Sequence, residues 1–336
     1  MPHLNLKSLG KVLVTGGTGF VGSALVKSLV DEGLEVRALD NNIRGNLERL
    51  GGYLSQIDFI EGDVTSLDSL MEACKNIDTV FHLAAINGTE NFYRMPARVL
   101  EVGIKGALNS LEAAVECGVT NYIVTSSSEV YQEPTHLPTT EEERIIIPNI
   151  HNPRFSYSVG KIISEALAIH YAPEALRTII CRPHNFFGPD MGKAHVIPQL
   201  ILRMKELSND LTKKKIDFPI QGSGNETRSF CFISDGVESI LISSVNGESK
   251  EIYHCGTEDE VSIAELAITI AKLLDLEITI VPRKKPLGGT RRRCPSIDKI
   301  RNLGYYPKVS LNKGLRNTID WYLNVEIRES TSEIVI

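Results

Sequence analysis

The chain of 336 residues carries 36 Lys and Arg against 42 Asp and Glu, a formal net charge of −6. This balance disfavours nucleic acid and anionic membrane surfaces as partners, and 42% apolar with 23% charged residues is typical of a globular fold. We find no run of about 18 uncharged apolar residues and no signal-peptide core, so we expect a cytoplasmic protein without a membrane span. The length predicts about two domains.

Residues 11–181 alternate short β-branched runs with amphipathic, helix-like stretches. The runs are KVLVT, EVRAL, IDFI, DTVFHL, NYIVT and RTIIC. This alternation predicts an α/β fold in which a doubly wound parallel sheet is covered by helices on both faces. The first helix should pack Val21, Leu25 and Leu29 on the sheet and end at Gly33.

Beyond Pro189 the pattern changes and predicts a smaller α/β lobe. VIPQLILRMKEL and SIAELAITIAKLL are helix-like, DFPI and EITIV are strand-like, and the lysine run 213–215 is interpreted as a solvated loop. We predict a first lobe of residues 1–188 completed by about 230–262, a second lobe of 189–325, and a frayed tail of 326–336. Six cysteines lack any Cys-x-x-Cys spacing, which favours reduced, buried thiols over disulfides or a metal site: Cys74, Cys117, Cys181, Cys231, Cys255 and Cys294.

A glycine-rich segment, TGGTGFVG at 15–22, follows the first strand and opens the first helix. Its glycines permit a tight turn, a close approach of the backbone to a diphosphate and close helix–strand packing. Asp40 ends the second strand, where a carboxylate accepts from a ribose 2′-hydroxyl and repels a 2′-phosphate. The spacing therefore predicts a Rossmann-type site for NAD. Arg44, a cation close to Asp40 in the sequence, leaves NADP as an alternative.

Tyr157 and Lys161 are spaced i, i+4 at the start of a helix-like segment, so both side chains should lie on one face. A nearby ammonium group favours the phenolate, and such a tyrosine can take a proton from a hydroxyl while hydride leaves the carbon. The strand NYIVT runs into SSSEVY at 126–131, which puts hydroxyls and a carboxylate at the ligand-binding edge of the sheet.

These segments, in this order, resemble the extended short-chain dehydrogenases/reductases of the nucleotide-sugar epimerase/dehydratase family. The resemblance covers about residues 10–322 and rests on TGGTGFVG, VFHLAA, SSSEVY, YSVGK, RPHNFFGP, ETRSFCFISD and RRRCPSI. It implies NAD as cofactor, a nucleotide-diphosphate sugar as substrate, a substrate-binding second lobe and a homodimer formed through two helices.

The resemblance also implies a role for individual residues. Ser127 would bind the substrate 4-hydroxyl, Tyr157 would be the general base and Lys161 its activator, with Ser128 and Glu129 as further catalytic candidates. The substrate candidates are His184, Asn185, His195, Val196, Arg228 and Arg293, where the two histidines are either titrating groups or packed side chains. The cofactor candidates are Gly16, Gly19, Phe20, Val21, Gly22, Asp40, Asn41, Asp63, Val64, Leu83, Ala84, Ala85, Thr125, Tyr157, Lys161 and Pro183.

Positions 128 and 129 bear on which reaction follows oxidation at C4. The resembling 4,6-dehydratases have an Asp-Glu pair here, so Ser128-Glu129 lacks the acid, and simple 4-epimerases usually carry a small or hydroxyl residue at the second position. Ser-Glu together with the segment Arg293-Cys-Pro-Ser resembles the uronate decarboxylases. We therefore predict C4 oxidation followed by C5 or C6 chemistry, either epimerisation, dehydration or decarboxylation. A simple 4-epimerase, an NADH-consuming reductase and a non-catalytic NAD-binding protein stay as alternatives.

Overall fold

The computed structural model describes residues 4–284 and 290–324. Within these residues the strands are β1 (Val12–Thr15), β2 (Val36–Asp40), β3 (Asp58–Glu61), β4 (Thr79–His82), β5 (Asn121–Thr125), β6 (Arg177–Pro183), β7 (Phe186–Phe187), β8 (Lys215–Gln221), β9 (Thr227–Ser229), β10 (Cys231–Phe232), β11 (Glu251–Cys255), β12 (Glu260–Ser262), β13 (Glu277–Arg283) and β14 (Arg292–Arg293).

The α-helices alternate with these strands in the first half of the chain. They are α1 (Phe20–Asp31), α2 (Leu67–Ala73), α3 (Thr89–Arg94), α4 (Pro96–Glu116), α5 (Ser156–Ala166), α6 (Val196–Leu207), α7 (Ile233–Asn246), α8 (Ile263–Leu273), α9 (Asp298–Arg301) and α10 (Leu311–Asn324).

A seven-stranded parallel sheet with the order β3-β2-β1-β4-β5-β6-β11 forms the centre of the fold. All four residues of β1 and of β4 are buried, as expected for central strands with helices on both faces. The six predicted strands and the doubly wound Rossmann arrangement are confirmed. The seventh strand, β11, was not predicted, because Glu251 and His254 interrupt its short apolar pattern.

Helices α4 and α5 touch backbone to backbone beside the sheet. A Cβ placed on Gly103 would lie 3.2 Å from the Cα of Gly160, and a Cβ on Gly160 equally close to the Cα of Gly103. A side chain at either position would push the two backbones apart by a few tenths of an ångström, so glycine suits this close approach. The contact fixes α5, which carries both Tyr157 and Lys161, against the longest helix of the described chain.

Residues after β7 build an apolar cluster and two small sheets. The cluster packs α6, α8 and α10 around β8, which pairs in parallel with β13. The prediction of a loop at 213–215 is wrong at Lys215, which begins β8 because the strand alternates exposed and buried residues from that point. A three-stranded sheet, β12-β9-β14, joins distant segments and presents Arg228 beside Arg293.

The described residues contain no helix long and apolar enough to cross a membrane. All six cysteines are free thiols, and five of them are buried. The predicted tail at 326–336 lies outside the described residues.

Candidate active site

The glycine-rich turn between β1 and α1 is closed on itself. A Cβ on Gly22 would lie 2.0 Å from the carbonyl oxygen of Gly16, and one on Gly16 would lie 2.9 Å from the amide nitrogen of Ala84. Gly16 also takes a φ of 73°, the left-handed region that favours glycine. The turn thus brings the N-terminus of α1, whose first amides have no partner within the helix, to the floor of a cleft. This cradle, with no side chain in it, fits a dinucleotide diphosphate.

The cleft has a volume of about 440 Å³ and runs along the carboxyl ends of the sheet strands. It brings together most of the residues predicted for cofactor and catalysis. Its wall includes Gly16, Gly19, Phe20, Val21, Gly22, Asp40, Asn41, Asp63, Val64, Leu83, Ala84, Ala85, Thr125, Ser127, Ser128, Glu129, Tyr157, Lys161, Pro183, Asn185, His195 and Arg293.

Asp40 lies at the end of β2 with its carboxylate turned to the cleft. Its two oxygens accept hydrogen bonds from the backbone amides of Thr18 and Asn42, both at 3.0 Å, which fixes the carboxylate orientation. Asn41 donates to Asp63 at 3.1 Å, so these two predicted cofactor residues are held against each other. Arg44 lines the cleft on the same side, and burial followed by the charge of Arg49 lowers its pKa.

Tyr157 and Lys161 lie on one face of α5, as their spacing predicted. The Lys161 ammonium is 5.7 Å from the centre of the Tyr157 ring and donates to the carbonyl oxygen of Thr125 at 2.6 Å. Burial lowers the pKa of Lys161 to about 8. Burial raises the pKa of Tyr157 to about 12, against the opposing effect of a hydrogen bond with Ser127. The protein on its own therefore keeps the phenol protonated at neutral pH.

Ser127 ends the segment that follows β5 and caps a short helical turn, Ser128–Val130. Its Oγ accepts from the amide of Glu129 at 3.1 Å, which turns the Glu129 side chain into the cleft. There Glu129 Oε1 accepts from Arg293 Nη1 at 2.8 Å. Burial would raise the pKa of Glu129, but Arg293, with Arg154 and Arg228 beyond it, lowers that pKa overall. The site holds an ionised carboxylate under three guanidinium groups.

The other two arginines of this cluster are Arg228 and Arg154. They donate hydrogen bonds to uncharged groups or leave a donor without a partner among the described residues. Arg228 donates to the carbonyl oxygens of Thr227 and Thr290. Its pKa is lowered to about 10 by burial and by Arg293. The Nε of Arg154 is buried and has no hydrogen-bond partner among the described residues. Glu226 also acts on Arg228, so three guanidinium groups lie near two carboxylates, and the remaining positive charge suits an anionic ligand.

Three predicted substrate residues do not line the cleft: His184, Val196 and Arg228. His184 is fully buried because its ring packs edge-on against His254, 4.7 Å between centres, which favours the packed alternative. Val196 begins α6 and packs against the apolar cluster of the second half. Arg228 lies behind Arg293 on the neighbouring strand. His195 does line the cleft, and burial followed by Arg44 lowers its pKa.

Sequence analysis missed several residues of the cleft wall, among them Phe92, and it also missed Arg154 near Glu129. Phe92, on α3, stacks on the ring of Tyr157 with centres 5.2 Å apart and planes at 14°. Arg154 stands three residues before Tyr157, and this spacing was the only available signal for it. No chemical motif marks Phe92, because its role depends on how α3 folds over α5.

Comparison with known proteins gives one family match and many relatives. The sequence matches the NAD dependent epimerase/dehydratase family over residues 12–256. It is 33% identical to the UDP-N-acetyl-alpha-D-glucosaminuronate decarboxylase of Bacillus cytotoxicus over 326 residues, covering 94% of this chain and 98% of the relative. It is 30% identical to UDP-glucuronic acid decarboxylase 1 of Arabidopsis thaliana, covering 95% of this chain and 71% of the relative.

Solved structures share the whole fold. The UDP-glucose 4-epimerase of Thermotoga maritima, crystallised with UDP-glucose, superposes with a TM-score of 0.82 at 26% identity, covering 93% of this chain and 98% of that one. A dTDP-glucose 4,6-dehydratase of Streptomyces venezuelae with bound NAD gives a TM-score of 0.82 at 26% identity, covering 93% and 97%. The similarity is therefore to proteins that perform several different reactions on one architecture.

Proposed function

Because the chain belongs to the NAD-dependent epimerase/dehydratase family, we propose that it decarboxylates a nucleoside-diphosphate-linked uronic acid after transient oxidation at C4. The predicted resemblance, the Rossmann fold and the use of NAD are confirmed. The observation that carries the choice of reaction is the Glu129–Arg293 pair in the cleft wall, next to Ser127 and Tyr157. UDP-linked uronates are the substrates named for the two relatives from Bacillus cytotoxicus and Arabidopsis thaliana.

The oxidation half of the site consists of Ser127, Tyr157 and Lys161. Ser127 and Tyr157 share a hydrogen bond, so a sugar hydroxyl placed between them meets a donor and a proton acceptor together. NAD, when bound, accepts a hydride from C4 and later returns it. Lys161 keeps a positive charge under the ring of Tyr157 and so favours the phenolate that takes the hydroxyl proton.

The C6 half consists of Glu129 and its arginines. A 4-keto uronate is a β-keto acid, so its C5–C6 bond can break with the electron pair moving toward the C4 oxygen and carbon dioxide leaving. Arg293 offers a guanidinium group that orients the C6 carboxylate, Glu129 holds Arg293 in place, and the charge of Arg154 adds to the positive field there. A proton from solvent adds at C5, the hydride returns to C4 and the Tyr157 phenol returns its proton to the C4 oxygen, so the steps balance and no net oxidation occurs.

The experiment is an assay of the purified protein against UDP-glucuronate and UDP-N-acetylglucosaminuronate, with UDP-glucose and dTDP-glucose alongside. We expect a product lighter by one carbon dioxide from a uronate and none from the neutral sugars, read by mass spectrometry. Loss of water would identify a dehydratase, and unchanged mass with altered proton couplings would identify an epimerase. Lasting loss of NADH absorbance would identify a reductase, and no turnover would leave a non-catalytic NAD-binding protein.

The division of labour between the lobes and the location are parts of the same proposal. Residues 1–188 with about 230–262 would hold NAD, and 189–325 would bind the nucleotide sugar. The contribution of β11 to the central sheet supports this division. Six unpaired thiols suit the reducing cytoplasm.

We also propose a homodimer through α4 and α5. Leu100, Ile104 and Leu108 repeat every four residues on α4 and are half-buried without belonging to the apolar clusters of the described residues. Ile162 and Ile163 on α5 are likewise half-buried and outside the apolar clusters of the described residues. Light scattering should give twice the mass of the chain, and Ile104→Glu should give the single mass.

A further inference from the structure

A buried chain of hydrogen bonds runs behind the cleft, from β6 to the segment that carries Arg293. Arg182 Nη1 contacts the hydroxyl of Tyr131, and that hydroxyl is 2.6 Å from Nε2 of His254. Nδ1 of His254 is 3.0 Å from the carbonyl oxygen of Ser296. Arg182, Tyr131 and His254 are 1%, 2% and 0% exposed, so water does not compete for these bonds.

The Arg182 guanidinium and the Ser296 carbonyl at the two ends fix the position of every proton in this chain of hydrogen bonds. A guanidinium only donates and a carbonyl oxygen only accepts. Tyr131 must therefore accept from Arg182 and donate to Nε2 of His254, and His254 must carry its proton on Nδ1 to reach Ser296. Burial lowers the pKa of His254 to about 3, so the ring is neutral and only this one tautomer satisfies both neighbours.

The first end of the chain is tied to the C4 half of the site. Arg182 donates to both oxygens of Glu165 at 2.7 and 2.6 Å. Glu165 lies on α5, one turn beyond Lys161 and on the same helix as Tyr157. Glu165 also accepts from Ser126, the residue before Ser127. Arg182 and Glu165 are thus bound to the elements that carry the oxidation residues.

The other end of the chain is tied to the C6 half. Ser296 stands three residues after Arg293, in the segment Arg293-Cys294-Pro295-Ser296. The amide of Ser296 donates to Thr139 at 2.6 Å, and the amide of Thr139 donates to Cys294 at 2.8 Å. The hydrogen bond from His254 to Ser296 therefore ties residues 293–296, which Thr139 already holds, to strand β11. It fixes the distance of this segment from the central sheet.

We propose that Tyr131 and His254 are positioning residues that align Arg293 with the oxidation residues on α5. The inference rests on the proposed C6 chemistry, since it assigns Arg293 a step that follows oxidation. The relay formed by Arg182, Tyr131, His254 and Ser296 has one allowed direction, and its histidine is neutral, so it transmits geometry and not charge. A shift of the Arg293 segment would leave Ser127, Tyr157 and Lys161 in place while misplacing the guanidinium, and errors of about 1 Å in such groups cost on the order of 100-fold in rate.

The test compares Tyr131→Phe, His254→Leu and His254→Asn with the wild type and with Tyr122→Phe. Tyr122 is a matched control, because it is as buried as Tyr131, at 2%, and stands outside the relay. A single-turnover experiment follows two signals in each protein: bound NADH, which reports C4 oxidation, and carbon dioxide from substrate labelled at C6.

We expect Tyr131→Phe and His254→Leu to slow carbon dioxide release by about tenfold or more, with oxidation changed by less than about threefold and NADH accumulating. His254→Asn should recover part of the rate, because an amide keeps one donor and one acceptor. Equal loss of both steps, or loss of neither, would overturn the proposal. Nitrogen-15 NMR of labelled wild-type protein is an independent test, since an Nε2–H tautomer of His254 also overturns it.

Failure of the proposed function is distinguishable from failure of the relay. If the wild type releases no carbon dioxide but forms a dehydrated or epimerised product, decarboxylation is wrong and the same two-signal comparison is made with that product. If the wild type performs no step after oxidation, Arg293 has no later step to serve and the relay proposal falls with it.

Discussion

The pair formed by Glu129 and Arg293 can be measured as a coupling energy. The three variants are Glu129→Gln, Arg293→Met and the double substitution. The two side chains are 23% and 7% exposed and their charged atoms are 2.8 Å apart, so the pair is mostly buried. Breaking a buried ion pair from one side costs about 3–5 kcal/mol. We expect Arg293→Met to lower the free energy of unfolding by about 3 kcal/mol, at the low end of this range, because Arg154 and Arg228 still face Glu129.

Glu129→Gln should cost less, about 1–2 kcal/mol, because the amide oxygen still accepts from Arg293. The double variant should then be less destabilised than the sum by about 1–2 kcal/mol. Urea unfolding at neutral pH, followed by circular dichroism, gives the four free energies. If the loss of the double variant equals the sum of the two single losses to within about 0.5 kcal/mol, the coupling is refuted. Tyr122→Phe serves again as a buried control without a charge.

The same series predicts a pH dependence with a definite sign. The pKa of Glu129 is lower in the folded chain than its ordinary value of 4.5, so its stabilising contribution is complete above that value. It is lost as the pH falls from about 4.5 toward the folded pKa, because the unfolded chain then takes up a proton that the folded chain does not. The stability difference between wild type and Glu129→Gln should therefore shrink on acidification below about 4.5. A difference that grows instead would contradict the assignment.

Three further predictions concern the cofactor half of the site. Tyr157→Phe should reduce C4 oxidation by about 100-fold to 10,000-fold in a stopped-flow measurement of NADH, and a rate near that of the wild type would contradict its role as the base. Burial lowers the pKa of Lys161 from 10.5 to about 8, so the unfolded chain holds the extra proton between these values. Unfolding of the wild type relative to Lys161→Met should become harder as pH rises through that interval, whereas a flat difference in urea titrations would contradict the shift. Gly22→Ala puts a Cβ 2.0 Å from Gly16 O, so calorimetry should show NAD binding weakened by about tenfold or more, and unchanged affinity would contradict the cradle.

Much of the first half could be predicted because its signals are local. The strands β1 to β6 are short β-branched runs, and the turn before α1 needs glycine at fixed positions. Tyr157 and Lys161 could be paired because an i, i+4 spacing on a helix places two side chains together. Those features depend on a few neighbouring residues and so are written in short stretches of sequence.

The rest of the site depends on contacts between segments far apart in the chain. Arg154 gathers near Glu129 only after the loop before α5 has folded, and Phe92 reaches Tyr157 only through the placement of α3. His184 was a substrate candidate because RPHNFFGP resembles a family segment, whereas in the fold its ring is buried against His254. Periodicity carries no information on such packing.

The sheet of β12, β9 and β14 has a consequence for the order in which the molecule is assembled during synthesis. Its strands have three, three and two residues, and they come from positions 260–262, 227–229 and 292–293. The nucleotide cradle at 15–22 leaves the ribosome long before Arg293 does. Because β11 completes the central sheet at Cys255, the lobe proposed to hold NAD can be complete before Arg293, the residue assigned to the decarboxylation step, has been made. The proposed capacity to bind NAD would therefore arise earlier during synthesis than the proposed capacity to decarboxylate.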